Sequence, residues 1–416
     1  MKDSRRVVVT GLGVVSPIGI GKDTFWQSLI AGKSGVDYIT AFDPSPYPCQ
    51  VAAEVKDFNP TDFMHVRRTK HRGRFSQFAV AAAKLALQDS GLHLEAEVPE
   101  RVMACIGTAM NGSGDVYETA RMRFEQSGFK SIPPMSGVEF AAHAPVSHVS
   151  AELGIRGQGM TIASACSTGL DAVQWGASQI QRGSADAVLA GSTDAPISEF
   201  CFATLCALGA LSKFSDPPLE ASRPYDLRRD GLVLGEGSAV CVLESLEHAL
   251  DRGAHLYAEI LGFGSGNEGG FGNRMNASEL ALAEGIALAL RQADRAASSV
   301  DYINSHGNAL PDYDLIETRA FREALGSAAY NVPVSSIKSM IGHAMGAAAA
   351  FQIVATCLTI QNSTIPPTIN YVTPDPECDL DYVPNQARTS RVRTALINAH
   401  AMGGTHSVLV LGAPQT

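Results

Sequence analysis

Two distant stretches of this chain follow one pattern. VVVTGLGVVS, from Val7, and AEILGFGSG, from Ala258, are both apolar strands that run into a Gly-x-Gly turn. RVMACIGTA (101–109) has a similar counterpart in VDYINSHGNA (300–309). A chain that repeats one pattern folds as two related halves, and 416 residues are enough to bury a large core in that form. The second half restarts near Leu256, after a helical linker at Leu246–Gly253, which divides the chain into 1–253 and 254–416. Segment 110–150, with Pro133, Pro134, Met135 and Pro145, interrupts the rhythm and reads as an insertion in the first half. Strands are predicted at Arg6–Val15, Arg101–Gly107, Ala187–Ala190 and Ser238–Glu244. Helices are predicted at Phe75–Ser90, with Gly91 as its cap, and at Ser278–Ala293. This alternation predicts an α/β layer fold with a mostly parallel sheet. Two such halves place their strand ends face to face, and the active site belongs at those carboxyl ends.

Within that frame, TIASACSTGLDA (161–172) carries the sharpest chemical signal. Thr161–Ala165 reads as a short strand and Ser167–Gly183 as a helix, with Leu170, Val173, Ala177 and Ile180 at helical spacing. Cys166 therefore falls at a strand-to-helix junction, where the positive helix end favours a thiolate near neutral pH. The second half holds matching pieces. His306 follows an apolar strand and precedes a helix containing Glu317 and Phe321. Lys338 and His343 follow the strand Val332–Ser335, and His343 opens an Ala-rich helix. A cysteine past a strand in one half, with two histidines and a lysine past strands in the other, form a constellation for nucleophilic chemistry. The Gly403-Gly404 turn in the last strand pair can aim backbone amides at a developing oxyanion.

Composition narrows the class further. A net charge of −10 and a pI near 5.6 argue against a general nucleic-acid binder. The eight cysteines include no CxxC pair and no metal-ligand spacing, as expected of reduced thiols in a cytosolic protein without a metal site. No apolar run approaches the roughly 18 residues of a membrane span. A cytoplasmic protein is expected.

Taken in order, TIASACSTG, SRPYDLRRDGLVLGEGSAVCVLE, INSHGNALPDYDLIE, SSIKSMIGHAMGAA and NAHAMGGTH resemble the β-ketoacyl-acyl-carrier-protein synthases. Within that family they are most similar to the type II elongating enzymes, with which the ketosynthases of type II polyketide pathways are grouped. The resemblance spans essentially the whole chain. It implies the thiolase-like fold, five layers in the order αβαβα. It also implies decarboxylative condensation of an acyl group held on Cys166 with a malonyl thioester carried by acyl carrier protein. His306 and His343 would assist decarboxylation, Lys338 would tune them, and Glu317 would belong to the supporting network. The backbone amides of Cys166 and Met402 would form an oxyanion hole, with no metal or bound cofactor. Met110 would line the acyl pocket, Met402 would gate it, and Leu232 and His400 would belong to the same pocket and gate.

Several positions depart from the family pattern. His-Gly-Thr-x-Thr, two hydroxyls near the pantetheine arm, is replaced by a run with Asn308 and Leu310. Gly-Phe-Val becomes Gly231-Leu232-Val233, and Asn-Ser-Phe-Gly-Phe-Gly-Gly becomes Asn398-Ala399-His400-Ala401-Met402-Gly403-Gly404. Three aromatic positions near the nucleophile are thus lost, Leu232, His400 and Met402 standing in their place, which favours a polyene or other type II polyketide pathway over housekeeping fatty-acid synthesis. The cluster Arg67, Arg68, Lys70, Arg72 and Arg74 on an acidic body is expected to dock the acidic carrier protein. A homodimer, or a heterodimer with a related ketosynthase or chain-length-factor subunit, is expected. The alternative is a non-catalytic chain-length-factor-like subunit, which typically lacks the cysteine that is present here.

Overall fold

The two Gly-x-Gly motifs are not turns. In the computed structural model, which describes residues 5–269 and 279–415, each motif lies inside a continuous ten-residue strand, β1 (Val7–Ser16) and β6 (Ala258–Asn267). Each also sits one step from a register shift against the neighbouring strand. The glycines are there for closeness. A Cβ on Gly13 would stand 1.9 Å from the Ala82 carbonyl oxygen of helix α1 (Arg74–Ser90). One on Gly264 would stand 1.9 Å from the Gly285 carbonyl oxygen of helix α3 (Glu279–Gln292). Gly11 and Gly262 meet the same two helices one turn further on. Only glycine lets helix backbone lie this close to a strand.

The remaining main strands are β2 (Val102–Gly107), β3 (Gly159–Met160), β4 (Ala187–Asp194) and β5 (Gly237–Ser245) in the first half. The second half has β7 (Tyr302–Asn304), β8 (Val334–Ser335), β9 (Thr394–His400) and β10 (Thr405–Gly412). Their lateral order is β3-β2-β4-β5-β1 in one half and β8-β7-β9-β10-β6 in the other, so the two topologies are identical. The halves join where Val7–Val9 pair antiparallel with Ala258–Ile260. The predicted mostly parallel sheet is corrected here. Only the outer joins β3/β2/β4 and β8/β7/β9 are parallel, whereas β4/β5/β1 and β9/β10/β6 are antiparallel. The last strand of each half is a return strand, and a return strand runs against its neighbours.

Alternation along the strands defines five layers. Val188 and Ala190 of β4, with Ile397 and Leu409 of β9 and β10, join one core with the central helices α2 (Thr168–Gln181) and α5 (Ala348–Asn362). Ala187 and Leu189 face α1 on the outside of the first half. Leu396, Val408 and Val410 face α3 and α4 (Pro311–Leu325) on the outside of the second. The order is helix, sheet, paired central helices, sheet, helix. Of the predicted helix at Ser278–Ala293, Glu279–Gln292 is observed, and Ser278 lies outside the described residues.

Close packing makes a paired test. Gly264→Ala has no room and is expected to destabilise by about 1–3 kcal/mol. Gly285→Ala, where a Cβ meets nothing nearer than 3.6 Å, is expected to stabilise by about 0.5–1 kcal/mol because alanine is the better helix residue. Thermal unfolding midpoints moving in opposite directions are the predicted outcome.

Candidate active site

The approach to Cys166 is irregular backbone, not the predicted strand Thr161–Ala165; β3 ends at Met160. Ala165 takes a left-handed conformation (φ 51°) and begins a single 3-10 turn, Ala165–Ser167, that leads into α2. The Thr168 hydroxyl locks this turn, donating to the Ala165 carbonyl at 2.7 Å and accepting the Ser164 N–H at 3.0 Å. The start of α5 repeats the device: Met345 (φ 48°) begins the turn Met345–Ala347. Ser167 ties the nucleophile turn to the last strand pair by donating to the Ala399 carbonyl at 3.3 Å.

Cys166 is almost wholly buried, and burial pushes its thiol up to about 11. The Lys338 charge and the backbone N–H groups of Met402 and Cys166 act in the opposite direction. The expected thiolate near neutral pH is thus corrected, because loss of water outweighs the helix end. The two amides expected to form an oxyanion hole are both near enough to the sulfur to act on its titration.

Glu317, on α4, organises the second-half side of the site. Its buried carboxylate accepts from the His306 N–H at 2.7 Å, the Gly307 N–H at 2.9 Å, the Tyr225 hydroxyl at 2.5 Å and the Asn398 amide at 2.5 Å. A carboxylate without water needs such donors to stay in the interior. Lys338 donates to the His306 carbonyl at 2.6 Å and to Gln352 Oε1 at 3.2 Å, and burial brings its ammonium down to about 8. The rings of His306 and His343 lie 5.2 Å apart between centroids, nearly perpendicular at 82°. Burial first, then the Lys338 charge, holds both imidazoles well below their usual range, so both are neutral.

Leu232, Leu310, Tyr313 and Met345 form one apolar cluster, with Met110 and Met402 packed on it. Leu310, expected on the pantetheine side, thus groups with the expected pocket residues. Asn308, also expected there, turns inward, its amide nitrogen 3.1 Å from His306 Nε2. His400, expected at the pocket gate, is fully buried against the His306 ring, 4.3 Å between centroids, and neither of its ring nitrogens has a protein partner.

The sequence reading missed Asp194. Its buried carboxylate accepts from the Thr108 hydroxyl (2.6 Å), the Ala109 and Met110 N–H groups (3.0 and 2.9 Å) and the Gly346 N–H (2.7 Å). It therefore holds the Met110 loop of one half to the start of α5 in the other. An aspartate at the carboxyl end of a strand was the available signal, hidden by ending that strand at Ala190.

The basic cluster divides. Arg67, Arg68 and Lys70 are exposed. Arg72 is turned inward with its side chain 7% exposed and pairs with Glu152 at 3.0 Å, while Arg74 pairs with the buried Glu236 at 2.8 Å. Those two are removed from the expected docking set because their charges are spent on interior carboxylates. Arg68 also reaches Glu152, at 2.7 Å, from the surface. Among the described residues, no group of three or more His, Cys, Asp or Glu side chains is placed to hold a metal ion, and no helix is long and apolar enough to cross a membrane.

Residues 4–249 match the model of the beta-ketoacyl synthase N-terminal domain, and residues 257–372 match that of the C-terminal domain. The chain is 43% identical to the tetracenomycin polyketide synthase ketoacyl synthase alpha subunit of Streptomyces glaucescens, covering 99% of this chain and 98% of that one. It is 41% identical to 3-oxoacyl-[acyl-carrier-protein] synthase 2 of Coxiella burnetii (98% and 99% covered). Among solved structures, the ishigamide ketosynthase/chain length factor matches with a TM-score of 0.93 at 34% identity (99% and 100% covered). A type II polyketide ketosynthase bound to the hexaketide, in complex with its acyl-carrier protein, matches with a TM-score of 0.91 at 35% identity, over the same shares. The chain belongs to the beta-ketoacyl synthase family and has its thiolase-like fold. It is a β-ketoacyl-acyl-carrier-protein synthase, an acyltransferase that performs decarboxylative Claisen condensation.

A thiol held up by burial gives a pH test. Since only the thiolate is alkylated, the rate of iodoacetamide modification of Cys166 is expected to rise about tenfold per pH unit from 7 to 9. A plateau below pH 8, read by peptide mass spectrometry, would mean that Lys338 and the amides outweigh burial.

Proposed function

We propose that Cys166 carries the acyl group and that His306 and His343 run the decarboxylation, as the condensing subunit of a type II polyketide or polyene pathway. The observation that supports this most is the pair of neutral imidazoles beside a lysine whose charge also reaches the buried thiol. In the first half-reaction the Cys166 sulfur bonds to the acyl carbonyl and the carrier thiol leaves with the proton. The malonyl thioester then loses CO2. Its enolate oxygen is held by one N–H from each histidine, for which neutral rings suffice. The α-carbon attacks the Cys166 thioester, the amides of Cys166 and Met402 hold the oxyanion, and collapse breaks the carbon–sulfur bond. Lys338 stabilises the departing thiolate and keeps both rings neutral. Side chains and amides carry every step in this reading, with no metal or bound cofactor.

The non-catalytic reading is weaker, because Cys166 and its two neighbouring amides are all present. Leu232, His400 and Met402 in place of phenylalanines, and Asn308 in place of a threonine, support a specialised pathway over fatty-acid synthesis. The partner in this reading is an acyl carrier protein, met by Arg67, Arg68 and Lys70, and the carrier-bound relative supports it. A related subunit or a second copy completes a cytoplasmic dimer.

His306→Ala and His343→Ala are each expected to slow CO2 release from malonyl carrier protein on the order of 100-fold while acyl loading of Cys166 falls far less. Unchanged CO2 release in both variants would remove the histidines from the reaction.

A further inference from the structure

Five tyrosines are buried among the described residues: Tyr225, Tyr257, Tyr302, Tyr313 and Tyr382. Four of them satisfy their hydroxyls inside the protein. Tyr225 donates to Glu317 at 2.5 Å and Tyr257 to Asp89 at 2.9 Å, while the hydroxyls of Tyr302 and Tyr382 meet those of Ser335 and Thr318 at 2.8 and 2.7 Å. Among the described residues the Tyr313 hydroxyl has no hydrogen-bond partner. It is not sealed off either, for the wholly buried unpartnered atoms include both ring nitrogens of His400 beside it but not this oxygen. The hydroxyl therefore opens onto accessible space. A buried tyrosine ordinarily finds its hydroxyl a partner, and phenylalanine would fill the same volume with nothing to desolvate.

The place of this hydroxyl says what its partner is. Tyr313 stands in the first turn of α4, its ring in the cluster of Leu232, Leu310 and Met345 on which Met110 and Met402 pack, and 4.9 Å from the His400 ring. Cys166 is near enough for its charge to act on the phenol. Burial first, then the Cys166 and Glu268 charges, push the phenol up, so it stays protonated and free to donate. One polar group in an otherwise apolar pocket wall is how binding sites fix the orientation of a ligand. In the reaction proposed above, the two amides serve the Cys166 thioester oxygen and the two histidines serve the enolate oxygen. Two substrate oxygens remain without a donor: a 3-oxo oxygen on the acyl chain, and the malonyl carboxylate before it leaves.

We propose that Tyr313 is a specificity-determining residue whose hydroxyl donates a hydrogen bond to one of these two substrate oxygens. This rests on the reading that Cys166 carries the acyl group. A bond to the 3-oxo oxygen selects unreduced chains over saturated ones; a bond to the carboxylate holds the extender for decarboxylation.

The test is Tyr313→Phe, which removes the hydroxyl and nothing else. Loading of Cys166 from 3-oxohexanoyl and hexanoyl carrier protein is followed by intact mass, and condensation of the loaded enzyme is followed as the concentration of malonyl carrier protein is varied. Loss of one hydrogen bond is expected to change one of two quantities about fivefold or more. A fall in the ratio of 3-oxohexanoyl to hexanoyl loading places the acceptor on the acyl chain. A rise in KM for malonyl carrier protein, with that ratio kept, places it on the extender. The thermal unfolding midpoint is expected to be no lower than that of the wild type, because the hydroxyl has no protein partner to lose. Equal ratios and equal KM values overturn the proposal and leave the role of Cys166 standing. If the wild type loads neither chain on Cys166, that role fails and this inference fails with it.

Discussion

The close approach of the two central helices governs everything else at the site. A Cβ on Gly169 would stand 2.3 Å from the Ala350 amide nitrogen, so only glycine permits α2 and α5 to meet there. Their meeting sets two turns side by side, each begun by a non-glycine residue in left-handed conformation, Ala165 in one and Met345 in the other. Such backbone is costly and persists only where its surroundings hold it. The first turn presents Cys166. The second presents the Gly346 N–H to Asp194, which binds the Met110 loop across the boundary between the halves. The site is therefore a product of both halves.

Its electrostatics follow from burial more than from charge. Cys166, His306, His343 and Lys338 all lie out of water, and in each the less charged form gains. Lys338 opposes this for the thiol and reinforces it for the imidazoles. The result is a neutral site with one cation, suited to holding oxyanions by oriented N–H groups rather than by a solvated ion. Glu317 is the counterpart of that cation, and its four donors keep it in place.

Cys166, His306, Lys338 and His343 were legible because each follows a strand by a few residues, where chain topology alone delivers side chains to the strand ends. The duplication was legible too, although its glycines proved to serve helix contact inside strands. Strand direction was not, because hydrophobic pattern carries no sign of which way a neighbour runs. The roles of Asp194, Tyr225, Gln352 and Asn398 were not legible, for a related reason. The value of each depends on partners far away in sequence, as when Gln352 donates to the carbonyls of Asn304, Ser305 and Asn398. Arg72 and Arg74 misled in the same way, since the cluster of charges is local and the carboxylates that consume two of them are not.

The central claim is that this buried cysteine, among eight, is the group that holds the growing chain. Incubation with an acyl-loaded carrier protein, followed by proteolysis and mass spectrometry of every cysteine-containing peptide, addresses it most directly. The account predicts the acyl mass on the peptide containing Cys166 and on no other, discharged when malonyl carrier protein is added. Acyl mass on another cysteine, or an adduct on Cys166 that malonyl carrier protein does not discharge, would contradict it.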